Sequence, residues 1–320
     1  MTHGMLLGKF LPPHLGHVYL AEFAARYADR LTVVVCSLRR EPIPGELRFG
    51  WMRELLPLAD VVHLTDELPQ EPAEHPDFWD LWRTALLRVL PAKPDLVFAS
   101  EHYGWRLAAE LGAAFVPVDR ERSAVPVSGT AIRTDPLANW AYIPRCVRPY
   151  FVKRVCVFGP ESTGKTTLAR RLAEHFRTAW VPEYARTLLE VKGGEVRYED
   201  MEPIARGQVA SEEALARNAN RVLVCDTDPL ATLVWSDVLF GKVPGFVRDA
   251  ADRRAADLYL LLDADVPWVA DPVRYLPGQG RAFFDRCRAE LDARGRRYVV
   301  IRGDWEERFQ AAVEAVEGFR

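Results

Sequence analysis

The chain has 320 residues, of which 49% are hydrophobic and 27% charged, and its formal net charge at pH 7 is -3. This length favours two domains, because a domain usually takes about 100–200 residues, and the composition excludes a mainly disordered, collagen-like or coiled-coil protein. The slightly acidic balance argues against a general nucleic-acid-binding surface but is compatible with a local phosphate site.

Short β-type runs alternate with helical patterns through the first half of the chain. The predicted strands are residues 5–8, 31–36, 61–64, 96–99 and 115–118, and the predicted helices are residues 18–27, 49–58, 78–90 and 105–111. Strands separated by helices imply right-handed βαβ crossovers and therefore a parallel sheet.

A junction marked by Pro144 and Pro149 precedes a second series of the same kind. Its predicted strands are residues 154–158, 179–181, 221–225, 258–262 and 298–301, and its predicted helices are residues 165–176, 201–218 and 305–317. The predicted fold class is therefore α/β, with two parallel-sheet domains at residues 1–150 and 151–320.

Cysteine usage and hydropathy indicate the compartment. The five cysteines form no C-x-x-C pair, so we expect buried, reduced thiols rather than a disulfide framework or a zinc site. No secretory signal and no run of roughly 18 apolar residues is present, which predicts a cytoplasmic protein without a membrane partner. The sequence leaves the oligomeric state open, and a homo-oligomer is compatible with it.

The string GPESTGKT at residues 159–166 matches the Walker A pattern G-x-x-x-x-G-K-[ST] in full. A strand is predicted before it and a helix from Lys165, which is the context that this loop requires. Its backbone N–H groups wrap phosphates, its lysine reaches the β- and γ-phosphates, and the hydroxyl of Thr166 binds Mg²⁺. The residues predicted to bind ATP here are Gly159, Ser162, Thr163, Gly164, Lys165, Thr166 and Thr167.

Two acidic residues are candidates for the chemistry beside this loop. Asp226 ends a buried apolar run and is the candidate Walker-B-type metal ligand, with a turn or cap acid as the alternative. Glu183 follows the second strand of this half, where strand ends point at a ligand crevice, so it can accept a proton from a substrate hydroxyl. The sequence does not choose between them as the base. Tyr184, Arg186 and Asp228 are candidates for substrate binding, and a surface ion pair is the alternative for Glu183 and Arg186.

A polar, Gly/Pro-rich segment follows the LYLLL run at residues 271–281. Such a segment is typical of a mobile lid whose arginines close over transferring phosphates. Arg274 and Arg281 are the candidates, and a solvated surface position is the alternative for each.

In the first half, the string GKFLPPHLGH at residues 8–17 joins the first strand to the first helix. His14 and His17 lie at the helix start, where imidazoles and exposed N–H groups suit an anionic phosphate chain. Gly8 and Gly16 permit close approach of the backbone. These four residues and Phe10 are predicted to form a phosphate site.

The string VSGTAIR at residues 127–133 follows the fifth predicted strand. Ser128 is a candidate helix N-cap. We expect its hydroxyl, the Thr130 hydroxyl and the Arg133 guanidinium to gather around a triphosphate. Alone, this is a common cap pattern, and its coupling to the histidine string makes it specific.

The paired patterns G-x-F-x-P-x-H-x-G-H and S-x-T-x-I-R are similar to those of the nucleotidyltransferase superfamily, and the first half resembles a nicotinamide mononucleotide adenylyltransferase. With a Walker A kinase behind it, the chain resembles the NadR-type bifunctional adenylyltransferase and ribosylnicotinamide kinase. Further matching strings are FWDLW at 78–82, W-x-Y-I-P at 140–144, E-Y-x-R at 183–186, DTD at 226–228 and PWVAD at 267–271. The resemblance implies a Rossmann-like nucleotidyltransferase domain followed by a P-loop kinase domain.

What the resemblance implies is a two-step salvage path to NAD with Mg²⁺ as cofactor. The second half phosphorylates ribosylnicotinamide with ATP, and the first half joins the resulting nicotinamide mononucleotide to AMP from a second ATP, releasing pyrophosphate. Arg48 is then the candidate for holding the mononucleotide phosphate, and Trp79 or Trp82 for stacking on nicotinamide, with helix core as the alternative for both tryptophans. The catalytic candidates are His14, His17, Arg133, Lys165, Glu183 and Asp226, and Glu183 either accepts the hydroxyl proton or holds the ribose.

Some members of this family also carry an amino-terminal helix-turn-helix domain and act as repressors. Because the first strand is predicted at about Met5, we expect no such domain and no direct binding of operator DNA here. The alternatives are a related fusion with other substrates and a non-catalytic nucleotide sensor. The intact Lys165, Thr166, His14 and His17 favour catalysis.

Overall fold

The structure is a computed structural model that describes residues 1–270 and 274–319. The chain divides into two compact units, Met1–Val147 and Arg148–Arg320. Each unit has its own sheet and its own hydrophobic core.

The first unit is built on one all-parallel sheet. Its strands are β1 (His3–Gly8), β2 (Arg30–Cys36), β3 (Asp60–Leu64), β4 (Leu96–Ala99) and β5 (Ala114–Pro117), in the order β3-β2-β1-β4-β5. Its helices are α1 (Leu15–Tyr27), α2 (Gly45–Leu55), α3 (Phe78–Val89), α4 (Tyr103–Leu111) and α5 (Gly129–Thr134), with short 3₁₀ turns at Pro72–Glu74 and Trp140–Tyr142. The strand order reverses beside β1, so the loop after β1 borders the ligand crevice of such a sheet.

Both faces of this sheet are covered, which explains the continuous apolar run of β2. Val34 packs with α3 and α4 on one face, while Val33 and Val35 pack with α1 and α2 on the other. Burial on two faces removes the apolar–polar alternation of a half-exposed strand.

The second unit repeats this architecture with different helices. Its strands are β6 (Lys153–Phe158), β7 (Trp180–Val181), β8 (Val222–Asp226), β9 (Leu258–Leu262) and β10 (Tyr298–Ile301), in the parallel order β10-β9-β6-β8-β7. Its helices are α6 (Arg148–Phe151), α7 (Lys165–His175), α8 (Tyr184–Val191), α9 (Met201–Ala216), α10 (Pro229–Phe240), α11 (Gly245–Arg253), α12 (Gly280–Ala293) and α13 (Trp305–Glu317), with a 3₁₀ turn at Tyr198–Asp200. The Walker A string therefore follows β6, the central strand.

The predicted fold class and the predicted strands and helices are confirmed, with element ends that differ by a few residues. Five helices of the second unit, α6, α8, α10, α11 and α12, were not predicted. Helix α10 buries residues around most of its circumference, which removes the 3.6-residue pattern that marks a half-exposed helix. The predicted lid segment is partly wrong, because Gly280 and Arg281 begin α12, and its residues 271–273 lie outside the described part of the chain.

The cysteines are buried thiols, as predicted. Among residues 1–270 and 274–319, no helix has both the length and the apolar character needed to cross a bilayer.

Candidate functional site

The loop between β6 and α7 has the backbone of a phosphate-binding loop. Gly159 and Gly164 have φ angles of 130° and 84°. A Cβ atom at Gly159 would lie 2.7 Å from the carbonyl oxygen of Leu262, and one at Gly164 would lie 2.3 Å from the Trp305 ring. Both positions therefore require glycine. Gly164 is the N-cap of α7, so the unpaired N–H groups of the first helical turn point into the loop.

Two side chains of the loop are held by one carbonyl group. Thr163 Oγ1 and Lys165 Nζ donate hydrogen bonds to the carbonyl oxygen of Pro160, at 2.8 and 2.7 Å. The Lys165 ammonium group therefore lies against the loop that is predicted to bind the ATP phosphates.

The residues around Arg274 pack onto the same loop. The Glu161 carboxylate accepts the backbone N–H groups of Tyr275 and Leu276, at 3.0 and 2.7 Å. Ser162 Oγ accepts the N–H of Val269 at 2.7 Å and a hydrogen bond from Arg274 Nη1 at 3.3 Å. The guanidinium of Arg274 is thus beside the phosphate loop, where it was predicted.

Thr166 and Asp226 meet at the carboxyl ends of β6 and β8. Thr166 Oγ1 donates to Asp226 Oδ2 over 2.6 Å, and Asp226 is only 1% exposed. Burial, and then the charge of Glu183, raise the pKa of Asp226 to about 7, while the hydrogen bond from Thr166 opposes that rise. Asp226 Oδ1 has no hydrogen-bond partner within the described residues. A hydroxyl and a carboxylate with an unused oxygen are ligands that fit a hard divalent cation.

A cavity opens beside this pair, with about 1070 Å³ of space not occupied by protein atoms, including its open mouth. Eight of the predicted site residues line it: Ser162, Gly164, Lys165, Thr166, Thr167, Glu183, Arg186 and Arg274. Arg186 also forms an ion pair with Glu190 at 3.3 Å. Phosphate-binding groups and a candidate proton acceptor therefore face one space.

Several residues of this cavity escaped the sequence analysis. Trp235 and Tyr275 provide aromatic surface, and Gln208 and Thr232 provide polar groups. Gln208 could have been singled out from the sequence, because it is a polar residue on the same side of α9 as the buried Met201, Ile204 and Ala205. Tyr275 stood in the predicted lid segment, where only the arginines were singled out.

Asp228 and Arg281 are among the predicted residues of this unit that do not line the cavity. Asp228 is the N-cap of α10, where Oδ1 accepts the N–H groups of Leu230 and Ala231 at 3.0 and 3.2 Å. Its Oδ2 accepts the hydroxyl of Tyr259 at 2.6 Å, so both oxygens have partners inside the fold. Arg281 forms an ion pair with Asp263 at 2.6 Å. The Asp228 side chain is thus engaged inside the fold, while Arg281 is paired with Asp263 at the surface.

Tyr184 also packs within the protein. A Cβ atom at Gly207 would lie 2.1 Å from the Tyr184 ring, so the ring rests directly on the α9 backbone. The backbone N–H of Tyr184 donates to Gln208 Oε1 at 3.0 Å. The ring is therefore a contact between helices α8 and α9.

In the first unit, the predicted phosphate string forms one packed group. His14 is the N-cap of α1, and its ring stacks on that of His17 with 3.7 Å between centroids. The Phe10 ring meets His17 edge-on at 4.9 Å. Cβ atoms at Gly8 and Gly16 would lie 3.1 Å from the Phe10 ring and 3.0 Å from the His14 ring. The glycines therefore make room for the aromatic rings.

The two histidines are neutral at pH 7. Burial and, to a smaller extent, the positive charge of Arg122 lower the pKa of His14 to about 4. Burial, His14 and Arg122 lower the pKa of His17 well below its usual range. His14 Nδ1 is buried without a hydrogen-bond partner in the described part of the chain. The rings therefore offer hydrogen bonds to a ligand rather than positive charge.

The second predicted string lies against the first. Ser128 Oγ accepts the N–H of Ala131 at 3.1 Å and caps α5, as predicted. Arg133 donates to the carbonyl oxygen of Leu11 and, at 3.1 Å, to Thr130 Oγ1. A cationic side chain and two hydroxyl-bearing residues are thus next to the loop that carries the histidines.

Arg48, the candidate for holding the mononucleotide phosphate, is buried inside the first unit. It is 0% exposed, and its Nε and Nη1 donate to the carbonyl oxygens of Ile43 and Cys36 at 3.0 and 3.2 Å. It also donates to the Lys9 carbonyl oxygen and to the Glu41 carboxylate. The guanidinium ties loops of the first unit together, so its assignment to a ligand phosphate is not supported.

The two tryptophans of α3 belong to the core region. Trp82 is buried and donates from Nε1 to the carbonyl oxygen of Pro69 at 2.8 Å. Trp79 is half-buried, packs edge-on against Phe78, and has the guanidinium of Arg106 at 5.7 Å from its ring. The helix-core alternative therefore fits Trp82, and Trp79 retains a partly open face.

These features define a class: an α/β protein with a nucleotidyltransferase-like unit, marked by stacked histidines at a helix start, followed by a P-loop kinase-like unit. An AAA domain profile matches residues 154–308. The chain is 32% identical to the trifunctional NAD biosynthesis/regulator protein NadR of Escherichia coli K12, over 98% of this chain and 82% of that protein. It is 30% identical to the Salmonella typhimurium protein of the same name, with the same coverage. The chain belongs to the NadR family, as the sequence predicted.

Solved structures agree with this assignment. A crystal structure of a NadR protein in complex with NR has a TM-score of 0.82 and 26% identity, over 99% of this chain and 96% of that one. A NadR structure in complex with NAD and AMP-PNP has a TM-score of 0.79 and 24% identity at the same coverage, and this match shows the shared fold.

Proposed function

We propose that the chain is a bifunctional enzyme of NAD salvage. The second unit transfers the γ-phosphoryl group of ATP to the 5′-hydroxyl of ribosylnicotinamide, and the first unit joins nicotinamide mononucleotide to AMP from ATP. One observation carries the proposal: Lys165, Glu183 and Thr166, whose hydroxyl is hydrogen-bonded to the buried Asp226, line a single cavity that also has an aromatic wall. The NAD-biosynthesis names of the curated relatives support this pathway.

Glu183 is the proposed base of the kinase reaction. The Glu183 carboxylate has no hydrogen-bond partner within residues 1–270 and 274–319, whereas Asp226 Oδ2 already accepts the Thr166 hydroxyl. Glu183 can therefore accept the proton of the 5′-hydroxyl while the new O–P bond forms and ADP leaves. Asp226 is instead proposed as the carboxylate that holds the metal ion next to the ATP phosphates.

Thr166 and Asp226 are the residues that would hold Mg²⁺, which when bound neutralises charge on the β- and γ-phosphates. No cluster of three or more His, Cys, Asp or Glu side chains occurs in the described residues, which fits a cation that takes most of its ligands from phosphates and water. Lys165 and Arg274 supply positive charge to the transferring phosphoryl group, and the N-terminus of α7 adds its dipole.

Adenylyl transfer in the first unit needs no protein nucleophile. The phosphate of nicotinamide mononucleotide attacks the α-phosphorus of ATP, the α–β phosphoanhydride bond breaks, and pyrophosphate leaves. His14 and His17 donate hydrogen bonds to the ATP phosphates, and Arg133 with the α1 N-terminus supplies positive charge. Catalysis is positioning plus charge stabilisation.

The test is to incubate the protein with ribosylnicotinamide, ATP and Mg²⁺ and to follow mononucleotide, NAD, ADP and pyrophosphate. We expect Lys165→Ala to abolish mononucleotide formation while sparing NAD synthesis from added mononucleotide, and His17→Ala to do the reverse. Other nucleosides and pantetheine phosphate, assayed in parallel, report a fusion with different substrates. Tight nucleotide binding without any turnover would overturn the proposal in favour of a sensor.

A further inference from the structure

Glu183 is held in place by its backbone. Its carboxylate has no side-chain or backbone partner in the described part of the chain, and its neighbour Tyr184 begins α8. Whatever fixes the start of α8 therefore fixes the proposed base relative to the phosphate loop. The contacts at this point come from helix α9.

Gln208 of α9 bridges the two segments that carry the acids. It is 2% exposed, its Oε1 accepts the backbone N–H of Tyr184 at 3.0 Å, and its Nε2 donates to the carbonyl oxygen of Thr227 at 3.2 Å. Tyr184 follows Glu183, and Thr227 follows Asp226. One amide group thus joins the backbones next to both carboxylates, and it does so with a donor and an acceptor that no other neutral side chain of this length provides.

The preceding residue completes the contact. The Tyr184 ring lies so close to Gly207 that a Cβ atom there would be 2.1 Å from it. The glycine lets the first residue of α8 rest on the α9 backbone, directly beside the Gln208 hydrogen bond.

We propose that Gly207 and Gln208 form a positioning clamp that sets the separation between Glu183 and Asp226. Gln208 borders the cavity, but both ends of its amide are engaged by backbone groups, so the clamp acts through the backbone of α8. This inference rests on the proposed kinase function. Misplacing a reacting group by about 1 Å can lower a rate by roughly 10²-fold, so loosening the clamp should lower kcat and leave ATP binding intact.

The test uses the full-length chain with Gln208→Met, which keeps the shape of the side chain and removes both hydrogen bonds, and Gly207→Ala, which displaces the Tyr184 ring. We expect kcat for nucleoside phosphorylation to fall by about 10- to 100-fold in both variants, with KM for MgATP within about twofold of wild type. Gln310→Met, at an exposed position of α13, is the matched control. Unchanged adenylyl transfer by the first unit reports the concentration of active chain, and an unchanged KM for MgATP reports that the second unit is folded.

A second measurement is independent of activity. Hydrogen exchange at the Tyr184 amide should be at least about tenfold faster in Gln208→Met, because its hydrogen-bond acceptor is gone. If this variant does not fold, Gln208→Asn, which is one methylene shorter and cannot reach both partners, replaces it.

The outcomes separate the two proposals. A wild-type chain that phosphorylates no nucleoside overturns the kinase function, and amide exchange alone then decides the clamp. An active wild type with unchanged kcat in the clamp variants, or unchanged exchange at Tyr184, overturns the clamp.

Discussion

Arg48 offers a direct test of whether the first unit uses this side chain for its fold or for a ligand. It is completely buried and donates hydrogen bonds to the carbonyl oxygens of Lys9, Cys36 and Ile43 and to the Glu41 carboxylate, which is itself only 6% exposed. Arg48→Ala removes the cation and leaves the carboxylate and three carbonyl groups without this partner.

The expected loss follows from these contacts. Breaking a buried ion pair by removing one partner costs about 3–5 kcal/mol. Lys9 Nζ lies 3.4 Å from Glu41 Oε1 and compensates part of that charge. Each lost hydrogen bond to a carbonyl group adds about 1 kcal/mol, reduced where water enters the space. We therefore expect Arg48→Ala to lower the free energy of unfolding of the first unit by about 4 kcal/mol.

Denaturant unfolding followed by hydrogen exchange of peptides within residues 1–147 measures this free energy. Arg53→Ala, an exposed position on the same helix α2, is the control and should change it by less than about 0.5 kcal/mol. The double variant Glu41→Leu, Arg48→Leu should recover part of the loss, because it removes both charges. The reasoning is refuted if Arg48→Ala keeps wild-type stability and instead raises KM for nicotinamide mononucleotide at least tenfold.

Two further predictions concern the second unit. Glu183→Gln removes the proposed base and should lower kcat for nucleoside phosphorylation by about 10²–10⁴-fold. Steady-state kinetics measures this change, and Glu190→Gln in the adjoining helix α8 is the control. An unchanged kcat in Glu183→Gln would assign the proton to another group. Burial raises the pKa of Glu212 to about 8, so the folded state holds its proton more tightly than the unfolded state and stability falls as pH rises from about 4.5 to 8. Glu212→Gln removes this pH dependence and should stabilise the second unit at pH 8 by up to about 4 kcal/mol. The control Glu213→Gln, at an exposed position, should not change the stability. Parallel curves of stability against pH for wild type and Glu212→Gln would contradict the raised pKa of Glu212.

Local patterns were enough to predict the two nucleotide loops. The residues of each loop lie within about ten positions of one another, and the flanking strand and helix place them without help from distant parts of the chain. Gly159 and Gly164 show why: the phosphate loop needs backbone angles that glycine adopts readily, so the loop geometry is visible as residue identity.

Pairing between distant segments was predictable only where two strings belong to one known pattern. The contact between Arg133 and the Leu11 carbonyl group joins segments 122 positions apart. The contact itself was not predicted, but the two strings were expected to act together because they occur as a pair in nucleotidyltransferases. No such pattern pointed to Gln208, whose partners Tyr184 and Thr227 lie 24 and 19 positions away.

The sequence by itself therefore determined the α/β organisation, the family and the positions of the two candidate phosphate loops, because strand–helix alternation and loop composition are properties of short segments. Only the tertiary structure decided which polar residues line the cavity and which are engaged inside the fold. Asp228, Arg48 and Trp82 have suitable chemistry, but each has its polar atoms engaged by partners inside the fold. Glu183 has no such partner in the described residues and lines the cavity. Burial and hydrogen-bond partners come from residues far apart in the chain, and this is why residue type alone could not separate the two groups.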